Sequence, residues 1–86
     1  MREYLDAILS FIGSASLSEE EWEAVTLPGS PTDLQVYNAL LGVLNARDMV
    51  STQQDRLFFY FKAKGAQVPE PVLNKSNIFV GAVLED

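Results

Sequence analysis

The 86 residues, 48 % apolar and 21 % charged, suffice for one small hydrophobic core and leave no room for two, so residues 1–86 are expected to form a single globular domain. The chain has neither cysteine nor histidine, which excludes Cys/His zinc sites, Fe–S clusters, ordinary haem ligation, disulfide scaffolds, thiol nucleophiles and imidazole-based triads. A net charge of −6, with no apolar run near the roughly 20 residues of a bilayer span, points to a soluble, cytoplasmic chain without membrane association and argues against nucleic acid as a partner.

The first stretch, MREYLDAILSFIGSAS, carries one Arg and an apolar segment, but Glu3 and Asp6 interrupt it and distinguish it from a secretory signal. Leu5, Ile8, Leu9 and Ile12 recur at i, i+3, i+4 and i+7, with Tyr4 and Phe11 widening the stripe. This spacing predicts an amphipathic helix over 3–12 that stops near Gly13. Beyond the GSAS linker, Ser18 and Glu21 have the spacing of a capping box, and Leu17 and Trp22 that of the hydrophobic staple around it. Three glutamates, Glu19 to Glu21, fall in the first turn, where the helix dipole favours acids, so a second, short helix starts here.

Leu27-Pro28-Gly29 is a turn signal, and Ser30-Pro31 opens a third helix with Ser as N-cap and Pro at the first helical position. Its body, LQVYNALLGVLNA, has Leu34, Tyr37, Leu41 and Leu44 on one stripe and Val36, Leu40 and Val43 on another, as in a central helix. Gly42 within it costs about 1 kcal/mol relative to Ala, which anticipates close approach of another element.

After Asn45 the pattern changes. Met49 to Thr52 reads as a short strand, Gln53 to Asp55 as a turn, and Arg56 to Lys62 as an aromatic-rich strand ended by Gly65. Alternation would put Leu57, Phe59 and Phe61 on a buried face and Phe58, Tyr60 and Lys62 on the other. Val68 to Val72, with two prolines, reads as extended, and Ile78 to Leu84 as a strand buried on both faces. The expected fold class is α+β, three helices packed on a small antiparallel sheet of two to four strands, with Leu34 to Leu44 against strands 57–61 and 78–84.

The order helix, short helix, long helix, two-strand ribbon over residues 18–64 resembles winged-helix domains, with ARDMVSTQQDRLFFYF in the place of the wing. The resemblance rests on element order and covers about half the chain. It implies a recognition-helix position for Thr32 to Ala46, which offers Thr32, Asp33, Gln35, Asn38 and Asn45 and no base before Arg47.

Charge is unevenly spread: residues 1–43 hold seven acids against Arg2 alone, whereas the remainder is neutral. Glu19, Glu20, Glu21 and Glu23 are the densest cluster, without the ligand spacing of a calcium hand, and no metal or cofactor is expected. The carboxylates Asp48, Asp55 and Glu70 and the pair Lys75-Ser76 match no catalytic motif, so the chain is read as non-enzymatic.

These readings converge on a protein-binding module with an acidic helical surface, facing another protein with a basic surface through Glu19, Glu20, Trp22, Glu23, Phe58 and Tyr60. Self-association as a homodimer through the edge of NIFVGAVL is a special form of it. Two alternatives stand beside it: a winged-helix nucleic-acid-binding regulator using Arg47, Arg56, Lys62 and Lys64, and an acidic inhibitor whose carboxylates imitate phosphates.

Overall fold

Three residues with left-handed backbone punctuate the chain: Gly13 (φ 83°), Asp48 (φ 61°) and Gly65 (φ 87°). Each stands one residue past a helix cap and closes that helix with the same pair of bonds. Gly13 N–H donates to the Ser10 carbonyl (3.0 Å) and Ser14 N–H to that of Leu9 (2.8 Å). Asp48 and Met49 repeat the pattern onto Asn45 and Leu44 (3.1 and 2.9 Å), and Gly65 and Ala66 onto Lys62 and Phe61 (both 2.9 Å). These are Schellman motifs, which satisfy carbonyls that a helix end leaves without partners.

A computed structural model describes residues 1–71. It contains α1 (Arg2–Phe11), α2 (Glu19–Ala24), α3 (Asp33–Ala46) and α4 (Thr52–Ala63), and no strand among the described residues. Helix starts are as sharply set as the ends. The Ser18 hydroxyl accepts from Glu21 N–H (3.1 Å) while the Glu21 carboxylate accepts from Ser18 N–H (2.9 Å), the expected capping box. A second box, Thr32 with Gln35, starts α3 with the same two distances. The α3 N-cap is therefore Thr32 rather than Ser30, and Pro31 precedes the helix instead of opening it. The reciprocal bond available to Gln35 from Thr32 outweighs the positional preference of proline.

One core joins three of the helices. Leu5, Ile8, Leu9 and Ile12 enter from α1, Val36, Tyr37, Leu40, Val43 and Leu44 from α3, and Leu57 and Phe61 from α4. Leu17 closes it from the segment between α1 and α2, and Trp22 and Val25 pack on its edge. Gln54 bonds Asn45 at one end of α3 and α4, and Lys64 pairs with Asp33 at the other, so these two helices run antiparallel. Past α4 the chain folds back: the Tyr37 hydroxyl donates to the Pro69 carbonyl (2.6 Å), and Pro71 is buried. Burial, with the carboxylates of Glu70 and Asp55 behind it, pushes the Tyr37 phenol up to about 12, so it stays a donor across the neutral range.

The expected α+β class is overturned at residues 49–62. The strand at Met49 to Thr52, the turn at Gln53 to Asp55 and the strand at Arg56 to Lys62 are instead the end of the α3 connection and helix α4. The described chain is all-helical, and the ribbon that would have supplied a wing is absent from it. LFFYF satisfies both periods, and the β-preference of its aromatic rings favours strand. What decides it is the longer window: Gln54, Leu57 and Phe61 are buried at i, i+3 and i+7, a helical face against α3. Under the strand reading Leu57, Phe59 and Phe61 share a face; in α4 the first and third are fully buried and Phe59 is 63 % exposed.

The close approach anticipated at Gly42 is likewise not found among the described residues, where a Cβ there would meet nothing within 4 Å. The strand expected at Ile78 to Leu84, and the homodimer built on its edge, lie outside the described residues.

Candidate functional site

Two charged surfaces emerge from this packing. The first is α2 with its surroundings. None of its six residues is fully buried; Trp22 packs partly on the core, and polar contacts tie the helix to its neighbours. Arg47, the C-cap of α3, spends all five guanidinium N–H groups there. Nε and one Nη bond the two oxygens of Glu21 (both 2.7 Å), and the Nη atoms also donate to the Ser14 hydroxyl (2.9 Å) and to the carbonyls of Ala15 (2.7 Å) and Ser16 (2.9 Å). Ser14 in turn donates to the Met49 thioether (3.2 Å), so the residues after the Schellman turns of α1 and α3 meet at this clasp.

These bonds hold the Glu21 carboxyl down at about 2, the Arg47 pair first and the Ser18 N–H second, against the opposing effect of burial. The same pair raises the Arg47 guanidinium further. Arg2 completes the arrangement by donating to Glu19 and to the Leu17 carbonyl (both 3.1 Å), and the Asp6 carboxylate accepts from Leu17 N–H (2.8 Å).

The second surface lies where α1 meets α4. Arg56, Phe59, Tyr60 and Ala63 occupy i, i+3, i+4 and i+7 of α4, the stripe next to the buried one, and with Phe11 and Lys64 they line a shallow trough of about 520 Å³. Phe11 is 72 % exposed and its ring stands 5.3 Å from that of Tyr60 in a tilted contact. Ala63 supplies the dip. At one end Arg56 donates a single N–H to the Ile12 carbonyl (3.2 Å).

At the other end Lys64 is held in place by the Tyr4 hydroxyl (2.5 Å) and by Asp33 (3.5 Å), with the rings of Tyr4, Phe61 and Tyr60 between 5.2 and 5.8 Å away. The Tyr4 hydrogen bond is the main cause that raises the Lys64 ammonium above its ordinary value, so this cation is fixed in charge as well as position. Lys62 sits 5.9 Å over the Phe58 ring on an adjoining stripe.

A third concavity, about 370 Å³, lies between α2 and α3, lined by Ala24, Val25, Ala39, Gly42, Val43 and Ala46 among others. Its walls are mostly small apolar side chains, joined by Thr26 and Asn38, with Glu21 already engaged by Arg47.

The residues singled out from sequence fall on these surfaces unevenly. Glu19, Glu20, Trp22 and Glu23 are on α2, where Glu19 is paired with Arg2, Glu20 and Glu23 are exposed, and Trp22 is half-buried on the core. Phe58 and Tyr60, both half-buried, are on α4, and Tyr60 lines the trough. Arg47 is committed to the clasp, while Arg56, Lys62 and Lys64 share α4.

Sequence reasoning missed Phe11 and Phe59, the two most exposed aromatic rings among the described residues. The signal was present: Phe11 lies off the Leu5–Ile8–Leu9–Ile12 stripe, and a helical reading of 52–63 sets Phe59 beside Arg56 and Ala63. Among the described residues no helix is long and apolar enough to cross a membrane, and no group of His, Cys, Asp and Glu is placed to hold a metal ion. No family model matches the chain, no curated protein matches its sequence, and no solved structure matches its fold.

Proposed function

We propose that this chain is a non-enzymatic protein-binding module whose contact surface is the trough between α1 and α4. The observation that carries this reading is the pair Phe11 and Phe59, 72 % and 63 % exposed on either side of Tyr60 and Ala63. Contiguous exposed aromatics on a small chain are costly to leave in water, and aromatic residues are the ones that interfaces concentrate at their centres. The lack of histidine and cysteine supports the non-catalytic half of the reading.

The acidic helix is the less suited surface, because two of its four glutamates are bonded to Arg2 and Arg47 and serve to hold α2 against α1 and α3. Its remaining acids, Glu20 and Glu23, are exposed, and neither lines the α1–α4 trough or the concavity between α2 and α3.

The test is affinity capture with the full chain from nuclease-treated native lysate, run beside the double variant Phe11→Ser/Phe59→Ser. A protein retained by the parent and lost with the variant supports the reading. Retention that is indifferent to both rings sinks it. Material retained only without nuclease moves the function to nucleic acid and to Arg56, Lys62 and Lys64.

A further inference from the structure

The trough between α1 and α4 has a cation at each end, Arg56 and Lys64, on a chain whose net charge is −6. Of the five bases among the described residues, Arg2 and Arg47 are bonded to Glu19 and Glu21, while Arg56 and Lys62 lie on α4 and Lys64, which also pairs with Asp33 at 3.5 Å, caps its end. Two of those three bracket the aromatic dip. Arg56 and Lys64 are eight positions apart, about 12 Å along a helix rising about 1.5 Å per residue, and Phe59, Tyr60 and Ala63 lie between them.

From this geometry, and resting on the reading of the trough as the contact surface, we infer that the partner presents an acidic amphipathic helix, with one large apolar side chain seated between Phe11 and Phe59 and a carboxylate about four residues to each side of it. A helix laid along α4 matches the spacing turn for turn. Its apolar residue fills the dip over Ala63, and its two acids meet the Arg56 guanidinium and the pre-positioned Lys64 ammonium, pairs that gain strength as the ring surfaces exclude water.

Two competing occupants fit less well. A second copy docked by twofold symmetry through this face would bring Arg56 of one copy toward Lys64 of the other and set like charges against one another. A nucleic acid strand would find rings to stack on but only three cations, and phosphate contact scales with the number of cations supplied.

The experiment uses the full chain and three 15-residue helical peptides with the same central Phe, carrying Glu, Gln or Lys at the positions four before and four after it, together with a single-stranded oligonucleotide. Binding is read from amide shifts in a ¹⁵N-labelled sample. The Glu peptide is expected to bind at least tenfold more tightly than the Lys peptide, to shift amides in residues 8–12 and 56–64, and to weaken as salt rises. Arg56→Glu, which leaves Lys64 as the one cation of the pair, is expected to abolish the preference for the Glu peptide over the Lys peptide.

Equal affinity of the three peptides at this face overturns the inference about charge and leaves the contact surface standing. Peptide shifts that fall elsewhere, or no peptide binding at all, overturn the inference. Preference for the oligonucleotide overturns it too. The contact surface itself falls only by capture that is indifferent to Phe11 and Phe59.

Discussion

Helices α2 and α4 both carry dense charge beside aromatic rings, yet they use it in opposite ways. Around α2 the charges close on one another: Glu21 takes two bonds from Arg47, Glu19 pairs with Arg2, and all five Arg47 N–H groups have an acceptor within the chain. Around α4 the cations brace the rim of an open trough, and the rings that flank it remain largely in water. The denser cluster of charge is therefore the structural one. A short helix with no buried residue needs polar anchors to stay docked, whereas α4 is already fixed by Leu57 and Phe61 and is free to present its adjoining stripe.

The contrast is broken most severely at Arg47. Its side chain is only 14 % exposed, so Arg47→Ala leaves the Glu21 carboxylate, the Ser14 hydroxyl and the Ala15 and Ser16 carbonyls without their donor. A loss of about 3 kcal/mol is expected from removing one partner of a covered pair, read as a shifted urea midpoint. The matching Arg56→Ala removes one bond to a carbonyl, and a cost of under about 1 kcal/mol is expected. Equal costs at the two arginines would erase the distinction between the surfaces.

Acid should dismantle the same clasp. The Glu21 carboxyl lies at about 2 when folded against 4.5 for a free group. A depressed folded value means that its stabilisation is complete above about pH 4.5 and is lost as pH falls toward about 2, a contribution on the order of 2 kcal/mol. Glu21→Gln is expected to flatten that part of the stability profile, measured by denaturant unfolding at stepped pH. An unchanged acid limb would show that the Arg47 pair contributes nothing net.

Two backbone substitutions sharpen the comparison from outside both surfaces. Asp48 holds a left-handed conformation at φ 61° that glycine adopts without strain, so Asp48→Gly is expected to stabilise by about 0.5–1 kcal/mol in thermal unfolding. Gly42→Ala adds a methyl group into open space in the middle of α3 and should stabilise by up to about 1 kcal/mol. Destabilisation by the alanine would mean that something covers the α2–α3 groove in the intact chain.

The smallest expected effect is on the trough itself. Phe11→Ser and Phe59→Ser remove exposed rings and should change stability by no more than about 0.5 kcal/mol each in the same unfolding assay, while abolishing partner retention. A large loss of stability would return these rings to the core.

Much of the helical half was legible in residue patterns. The stripe of α1, its stop at Gly13 and the capping box of α2 follow from local chemistry that no distant contact has to decide. α4 was not legible in the same way, because five consecutive large apolar residues satisfy a period of two as readily as one of 3.6, and only packing against Tyr37 and Leu40 chooses between them.

The charge clusters were misleading for a related reason. Glu19 to Glu23 stand out along the chain, but the arginines that neutralise them are far away in sequence, Arg47 being 26 positions from Glu21. Phe11 and Phe59 come together from helices nearly fifty residues apart, so the trough exists only once the chain has folded.

The central claim, that α4 meets the partner while α2 serves the fold, is tested most directly by adding a captured partner to the ¹⁵N-labelled full chain and mapping the amides that shift. The account predicts shifts in residues 8–12 and 56–64, with residues 18–26 unmoved. Shifts centred on residues 18–26, with the α1–α4 face silent, would contradict it.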